Sequence, residues 1–370
     1  MKVSREQVLA YRVAAQQLDR TARSAGALAV LDIGVQDSAI HPARLAFDAR
    51  LAKTPSDAGI GPGKPIALAW SLRGAPHLHR RRDLDTLTAA LWPLSEADAA
   101  GRLNETGPSV KRAGIAALDQ FSIARDAMRA VVTRPTAKGA ASTAVTKRIP
   151  KSMRRNCRVC KAEHISDSAM RTTALAAGVE LEPGTAPPVL VPRPGTKSVD
   201  APDLKALRRL LRAYLTLLGP ATPADAAGYF EVRTADAMQA WPDDLAELTV
   251  DGKSVWLPVD CVDDLTSAPP PDLVRLLGPF DPYLQARDRS LLVPDKAIHK
   301  SLWPVLGRPG VLLVDGEVAG VWRPKASGGK LTLIVDAFAP LDPPAWRAVD
   351  AEAERVAAVR GARDVSVTRA

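Results

Sequence analysis

Aromatic residues are scarce in this chain, at 4%. That excludes the stacking platforms on which single-strand binders hold successive bases. Cysteine is scarcer still: Cys157, Cys160 and Cys261 are the whole complement, too few for a disulfide framework. No apolar run reaches the length of a membrane span. The amphipathic opening MKVSREQVLAYRVAAQQL lacks the uninterrupted apolar core of a signal peptide. There is no phosphate-cradling glycine loop, no dinucleotide fingerprint and no Ser-centred nucleophile elbow. These absences predict a reduced, cytoplasmic protein without a cofactor. The sharpest local absence is of acid: from Met128 to Ala162 there are ten basic residues and no Asp or Glu.

What is present fits an ordinary globular chain of 370 residues, 46% hydrophobic and 25% charged, long enough for two or three small domains. The net charge of +9 favours a polyanionic partner. Arginine outnumbers lysine, which suits bidentate contacts to phosphate. Within the acid-free stretch the spacing predicts a helix–turn–helix. DAMRAVVTRP is an apolar-periodic helix stopped by Pro135, TAKGA is a turn, and STAVTKRI is a second helix with Ser142 at its N-cap. A basic, acid-free second helix is the footprint of an element lying on a phosphate backbone. Lys138, Lys147, Arg148, Lys151, Arg154 and Arg155 are the expected contacts.

Three segments repeat one theme of helices, a turn and a strand pair. The third is the clearest. LKALRRLLRAYLTLL carries Leu204, Leu207, Leu211, Tyr214 and Leu218 at helical spacing. Thr222 and Pro223 then read as an N-cap and first helical residue, and RTADAMQAW as a further helix. LAELTVDGKSVWLPVD follows, with Asp251-Gly252 between two strand-like runs. Helices followed by a hairpin make a winged helix. The predicted architecture is α+β: winged-helix units over residues 1–105, 106–195 and 196–272, then a small β-barrel and terminal helix over 273–370. Pro-rich stretches at 182–195 and 267–272 mark two of the boundaries. Short β-like runs after Val274, RSLLVP among them, with Asp315-Gly316 and Gly328-Gly329 as hairpin turns, carry the barrel expectation.

Several polar groups stand out. His77 and His79 alternate along a β-like run, so both imidazoles share one face. Arg80, Arg81 and Arg82 follow directly and would repel a metal cation, so backbone contact is the functional reading and a plain surface loop the alternative. Arg73 on the preceding segment could reach a phosphate, as could Arg287 and Arg289 beside Asp288, and Lys300 within PDKAIHKSLW. Cys157-x2-Cys160-x3-His164 offers three ligands with no second CxxC to complete four. Buried cysteines packing as small hydrophobes are the reading taken, and no metal is expected.

WSLRGAPHLHRRRDL, CRVCKAEHI, GPFDPYLQARDR and VDGEVAGVWRPK, in that order, resemble a winged-helix DNA-binding family. It contains the bacterial alkylpurine DNA glycosylases of the AlkZ/YcaQ type. The likeness runs from about residue 5 to 360. It implies tandem winged helices and a C-terminal barrel around a DNA channel, double-stranded DNA as partner, a monomer, and a nucleoid-associated location. It also implies hydrolysis of the N-glycosidic bond of N3- or N7-alkylated purines by a Gln–apolar–Gln or Gln–apolar–Asp motif. In Gly34-Val35-Gln36-Asp37, Gln36 matches the second polar position and Gly34 stands where the first Gln would be. Gln36 and Asp37 are thus the catalytic candidates, with Asp32 upstream as an outside one. Asp37 or Ser38 also suits the N-cap of the helix in HPARLAFDAR. The alternative reading is a non-catalytic DNA-binding protein, which Gly34 favours.

Overall fold

The computed structural model describes residues 1–38, 42–53, 59–103 and 114–370. The 105/106 boundary, His41 and the start of the helix expected from residue 109 lie outside the described residues. The fold is mixed α+β.

The third unit follows its sequence closely. Helix Leu204–Leu218 buries Leu207, Leu211, Tyr214 and Leu218, and Asp203 caps it by accepting from the Lys205 and Ala206 amides. Thr222 and Asp225 close a capping box on helix Pro223–Phe230. Asp251 and Gly252 take φ of 48° and 77°, the left-handed pair a two-residue hairpin needs, between β10 (Leu245–Val250) and β11 (Lys253–Pro258). A short strand from the other end of the sequence, β1 (Lys2–Val3), joins this sheet parallel to β10.

The first and second units share one six-stranded sheet. Its order is β2 (Val35–Gln36), β4 (Pro76–Arg80), β3 (Ile66–Trp70), β8 (Val179–Leu181), β9 (Val189–Pro192) and β5 (Thr136–Ala137). The acid-free stretch supplies helix Lys138–Arg148 and a separate hairpin, β6 (Arg154–Cys157) with β7 (Ala162–Ile165). The helix is capped at Ala137, five residues before the N-cap that the sequence predicts. Ser142 therefore lies inside it and accepts from the Thr146 hydroxyl through its carbonyl, rather than capping the start.

The C-terminal sheet runs β12 (Val274–Leu277), β13 (Gly310–Val314), β14 (Glu317–Ser327), β15 (Lys330–Ala337), β16 (Asp364–Arg369). Its end strands β12 and β16 do not pair, so the expected barrel is an open half-barrel. Helix Pro343–Arg360 packs on it through Val349, Ala353 and Val356. RSLLVP, read as strand, forms the short helix Arg289–Leu292 instead, with the adjacent Leu292 and Val293 buried, a pattern that strand alternation does not produce.

Two arginines from the first fifty residues bind aspartates of the FDPYLQARDR segment. Arg50 and Asp281 make a bidentate pair at 2.7 and 2.8 Å with both side chains fully buried, and Arg50 also donates to Gln16. Buried Arg12 pairs with Asp288 at 2.5 Å and donates to the Gly219 carbonyl at 3.1 Å. A buried pair of this kind adds little net stability, and the Nε of Arg50 is left without a partner, so these contacts fix the segment's register more than they stabilise the fold.

Candidate active site

From Leu31 to Asp37 the chain is mostly buried, with Asp32 exposed and Gln36 part-exposed. Val35 is fully buried and Gln36 half-buried. Gln36 lies opposite His77 in the antiparallel pairing of β2 with β4, so the two side chains are same-face neighbours. Arg73 completes the group. It sits at φ 57° beside Gly74 at φ 61°, a left-handed turn that costs about 1 kcal/mol for a residue with a Cβ. From there its Nη2 donates to Gln36 Oε1 at 3.3 Å, and its Nη1 donates to the Tyr229 carbonyl at 2.8 Å.

Both histidines are interior groups, 1% and 2% exposed, which overturns the expectation that they touch a DNA backbone or lie on a surface loop. Burial first, then the charge of Arg73, holds His77 well below its usual pKa. Burial pushes His79 down to about 3. Both are neutral at pH 7. His77 Nδ1 lies 2.9 Å from the Ala75 carbonyl and so carries the proton, leaving a buried Nε2 without a partner. His79 Nε2 bonds the Ser71 hydroxyl at 2.9 Å.

The same ring explains Gly34. At φ 80°, a Cβ there would lie 2.3 Å from His79 Cε1 and 2.9 Å from its Nε2. The imidazole fills the space that a side chain at the first polar position would need. Asp37 faces away from Gln36. Its amide donates to the Pro76 carbonyl, and its carboxylate accepts from the Ala43 amide at 3.4 Å, at the start of helix Pro42–Asp48. Asp32 is half-exposed and ion-paired with Arg80, not turned towards Gln36.

Four arginines gather beside Gln36. Arg73 and Arg287 donate to the last carbonyls of helix Pro223–Phe230, at Tyr229 and Gly228, where the helix dipole offsets positive charge. Arg289 stacks on Trp303 and Arg308 on Phe280, with guanidinium-to-ring distances of 4.8 and 5.3 Å. Burial lowers the pKa of Arg73, Arg289 and Arg308, and so do their neighbours. Arg287 acts on all three, and Arg289 and Arg73 also act on Arg308. Their partners are carbonyls, an amide and rings, while Asp288 between two of them turns inward to Arg12. Next to Arg308, Val305 and Leu306 stand 99% and 86% exposed. Arg308 escapes sequence reading because nothing about Gly-Arg-Pro-Gly marks it.

The remaining basic positions are scattered in state. Lys147, Arg148, Lys151 and Lys300 are exposed. Lys138 pairs with Asp167 at 2.5 Å, and Arg154 donates to the Ile149 carbonyl. Arg155 is half-buried. Cys157 and Cys160 are not the buried hydrophobes expected: Cys160 is exposed, Cys157 half-exposed, and both lie with His164 at the end of the β6–β7 hairpin. Cys261 is buried elsewhere, near Thr216. Among the described residues no helix is long and apolar enough to cross a membrane.

A family model described as DNA glycosylase AlkZ-like matches residues 12–359. Over 169 residues the chain is 28% identical to an interstrand DNA cross-link repair glycosylase of Streptomyces sahachiroi, a match spanning 43% of this chain and 44% of that protein. The solved structure of the Streptomyces sahachiroi DNA glycosylase AlkZ superposes with a TM-score of 0.76 over 100% of both chains, at 19% identity. At that identity the superposition speaks for the fold.

Proposed function

Because the chain belongs to the AlkZ-like DNA glycosylase family, we propose that it is a monofunctional DNA glycosylase that hydrolyses the N-glycosidic bond of N3- or N7-alkylated purines in duplex DNA. One observation carries this reading: Gln36, oriented by Arg73 and beside a neutral His77, lies next to four clustered arginines held on carbonyls and rings. In this reading the helix–hairpin units are winged helices. The exposed cations Lys147, Arg148, Lys151 and Lys300 track the backbone, and Arg287, Arg289 and Arg308 neutralise phosphates at the damaged nucleotide.

The chemistry asks little of the protein. A purine alkylated at N3 or N7 is already cationic, so its leaving group needs no acid, and both nearby imidazoles are neutral. The C1′–N bond breaks with its electron pair going to the purine, which cancels the base's charge. A water held on Gln36 Oε1 donates a hydrogen bond to it and keeps a lone pair for C1′. As the water oxygen bonds to C1′, its second proton passes to solvent. Asp37, committed to the helix start, takes no part. The product is free alkylpurine and an intact abasic strand.

The test is release of 7-methylguanine from a site-specifically alkylated duplex, wild type beside Gln36→Ala. Release should fall at least about 100-fold in the variant while DNA binding stays within a few-fold. Borohydride should trap no covalent adduct. Tight, salt-sensitive binding without any release by the wild type would assign the chain to the non-catalytic reading that Gly34 favours.

A further inference from the structure

We propose that Cys157, Cys160 and His164 form a zinc-type metal site that clamps the end of the β6–β7 hairpin, with a water in the fourth position. One ligand atom from each of the three residues lies within 4.8 Å of the other two. Tetrahedral zinc, with bonds of about 2.0–2.3 Å, sets its ligand atoms roughly 3.5–3.8 Å apart, so small side-chain rotations close the set.

The backbone is already shaped for this. Cys157 ends β6, and the Cys160 amide donates to Cys157 Sγ at 3.4 Å, a hydrogen bond that favours thiolate. Lys161 follows at φ 51°, reversing the chain so that His164 returns on β7 to the same face as Cys157. His164 Nδ1 lies 2.6 Å from the Ile165 carbonyl and so holds the proton, while Nε2 has no hydrogen-bond partner. An imidazole anchored by one nitrogen and bare at the other is the tautomer that a metal ligates.

Charge and stability agree with the geometry. Arg155, Arg158 and Lys161 lie within a few residues of the ligands in sequence and would repel a free cation. Two thiolates with one Zn2+ sum to zero, however, so the loaded site leaves the hairpin's positive face intact. Binding releases two thiol protons to solvent and needs no oxidant. A two-stranded hairpin is marginal alone in water, and a link from the end of one strand to the middle of the other removes that weakness.

The full chain, reduced, stripped with chelator and reloaded with Zn2+, should retain about one equivalent after gel filtration. Cys160→Ser and His164→Ala should each lower retention at least about tenfold, and Cys261→Ser should not. Co2+ in place of zinc should give a thiolate-to-cobalt charge-transfer band that Cys160→Ser removes. Zinc should slow alkylation of Cys157 at least about tenfold in the wild type and not in the variants. Equal melting of metal-free wild type and Cys160→Ser excludes misfolding as the cause, because residue 160 is exposed. Absence of retained metal and of the cobalt band in the wild type would overturn the proposal. So would a Cys157–Cys160 disulfide forming in glutathione buffer despite saturating zinc.

Discussion

Gly34→Ala asks whether the imidazole of His79 keeps the first polar position of the motif empty. The change adds one methyl group and no chemistry. Two penalties follow. A non-glycine residue at φ 80° costs about 1–2 kcal/mol. Forcing that methyl against a ring 2.3 Å away, in a core where His79 is 2% exposed, adds roughly 1–3 kcal/mol. The sum is about 2–5 kcal/mol. With about 2 cal/mol/K of unfolding entropy per residue, a chain of 370 residues shifts its midpoint by roughly 1.3 °C per kcal/mol. Calorimetry should thus find the variant melting about 3–6 °C lower. The steric share belongs to the pair. In a double-mutant cycle with His79→Ala, roughly 1–3 kcal/mol should appear as coupling, while the backbone share persists in the double variant. Loss below about 0.5 kcal/mol, or additive effects of the two changes, would refute the steric account of Gly34. If the account holds, the family's first glutamine cannot be restored here by a single substitution.

Other outcomes follow from the same geometry. Arg308→Ala should reduce the slope of log K against log[salt] by about 0.9 and lower the melting temperature only slightly, since stacking on Phe280 is lost but no carboxylate loses a partner; an unchanged slope would remove Arg308 from the DNA interface. Asp281→Ala leaves Arg50 buried and unpaired and should destabilise by about 3–5 kcal/mol, read as a lower urea midpoint; a loss within 1 kcal/mol would mean that water reaches Arg50. His79 is held near pKa 3 in the folded chain against about 6.5 unfolded. The unfolded state therefore binds the extra proton, and stability is full above pH 6.5 and lost as pH falls towards 3. About 2 kcal/mol should be gone at pH 5, and His79→Asn should flatten that part of the urea-midpoint curve. A curve identical in the variant would show that His79 titrates freely when folded.

Local signals carried much of the fold. Helix Leu204–Leu218, the Thr222 cap and the Asp251-Gly252 turn are set by neighbours in sequence and appear where spacing and turn chemistry put them. What spacing could not reveal is long-range. The six-stranded sheet joining two units, the parallel docking of β1 and the failure of β12 to meet β16 all depend on partners far along the chain. The site divides the same way. Gln36 was legible through its motif, as were Arg73, Arg287 and Arg289 as cations. That His77 and His79 are buried and neutral, that Asp288 turns inward to Arg12, and that Arg308 belongs to the cluster are facts of packing. The cysteines were misread because a CxxC-x3-H spacing does not tell whether its turn is covered or bare.

The two aspartates of FDPYLQARDR answer to arginines 231 and 276 residues earlier. During synthesis at about 5–20 residues per second, Arg50 waits on the order of tens of seconds for Asp281 to leave the ribosome. Until then the turn after helix Pro42–Asp48, which carries Arg50, must keep that guanidinium in water, so the first unit cannot close over its final core as it emerges. Its maturation is tied to the arrival of the segment that brings Arg287 and Arg289. A nascent chain stalled before residue 281 should therefore stay open to protease around Arg50, whereas one released past residue 288 should not.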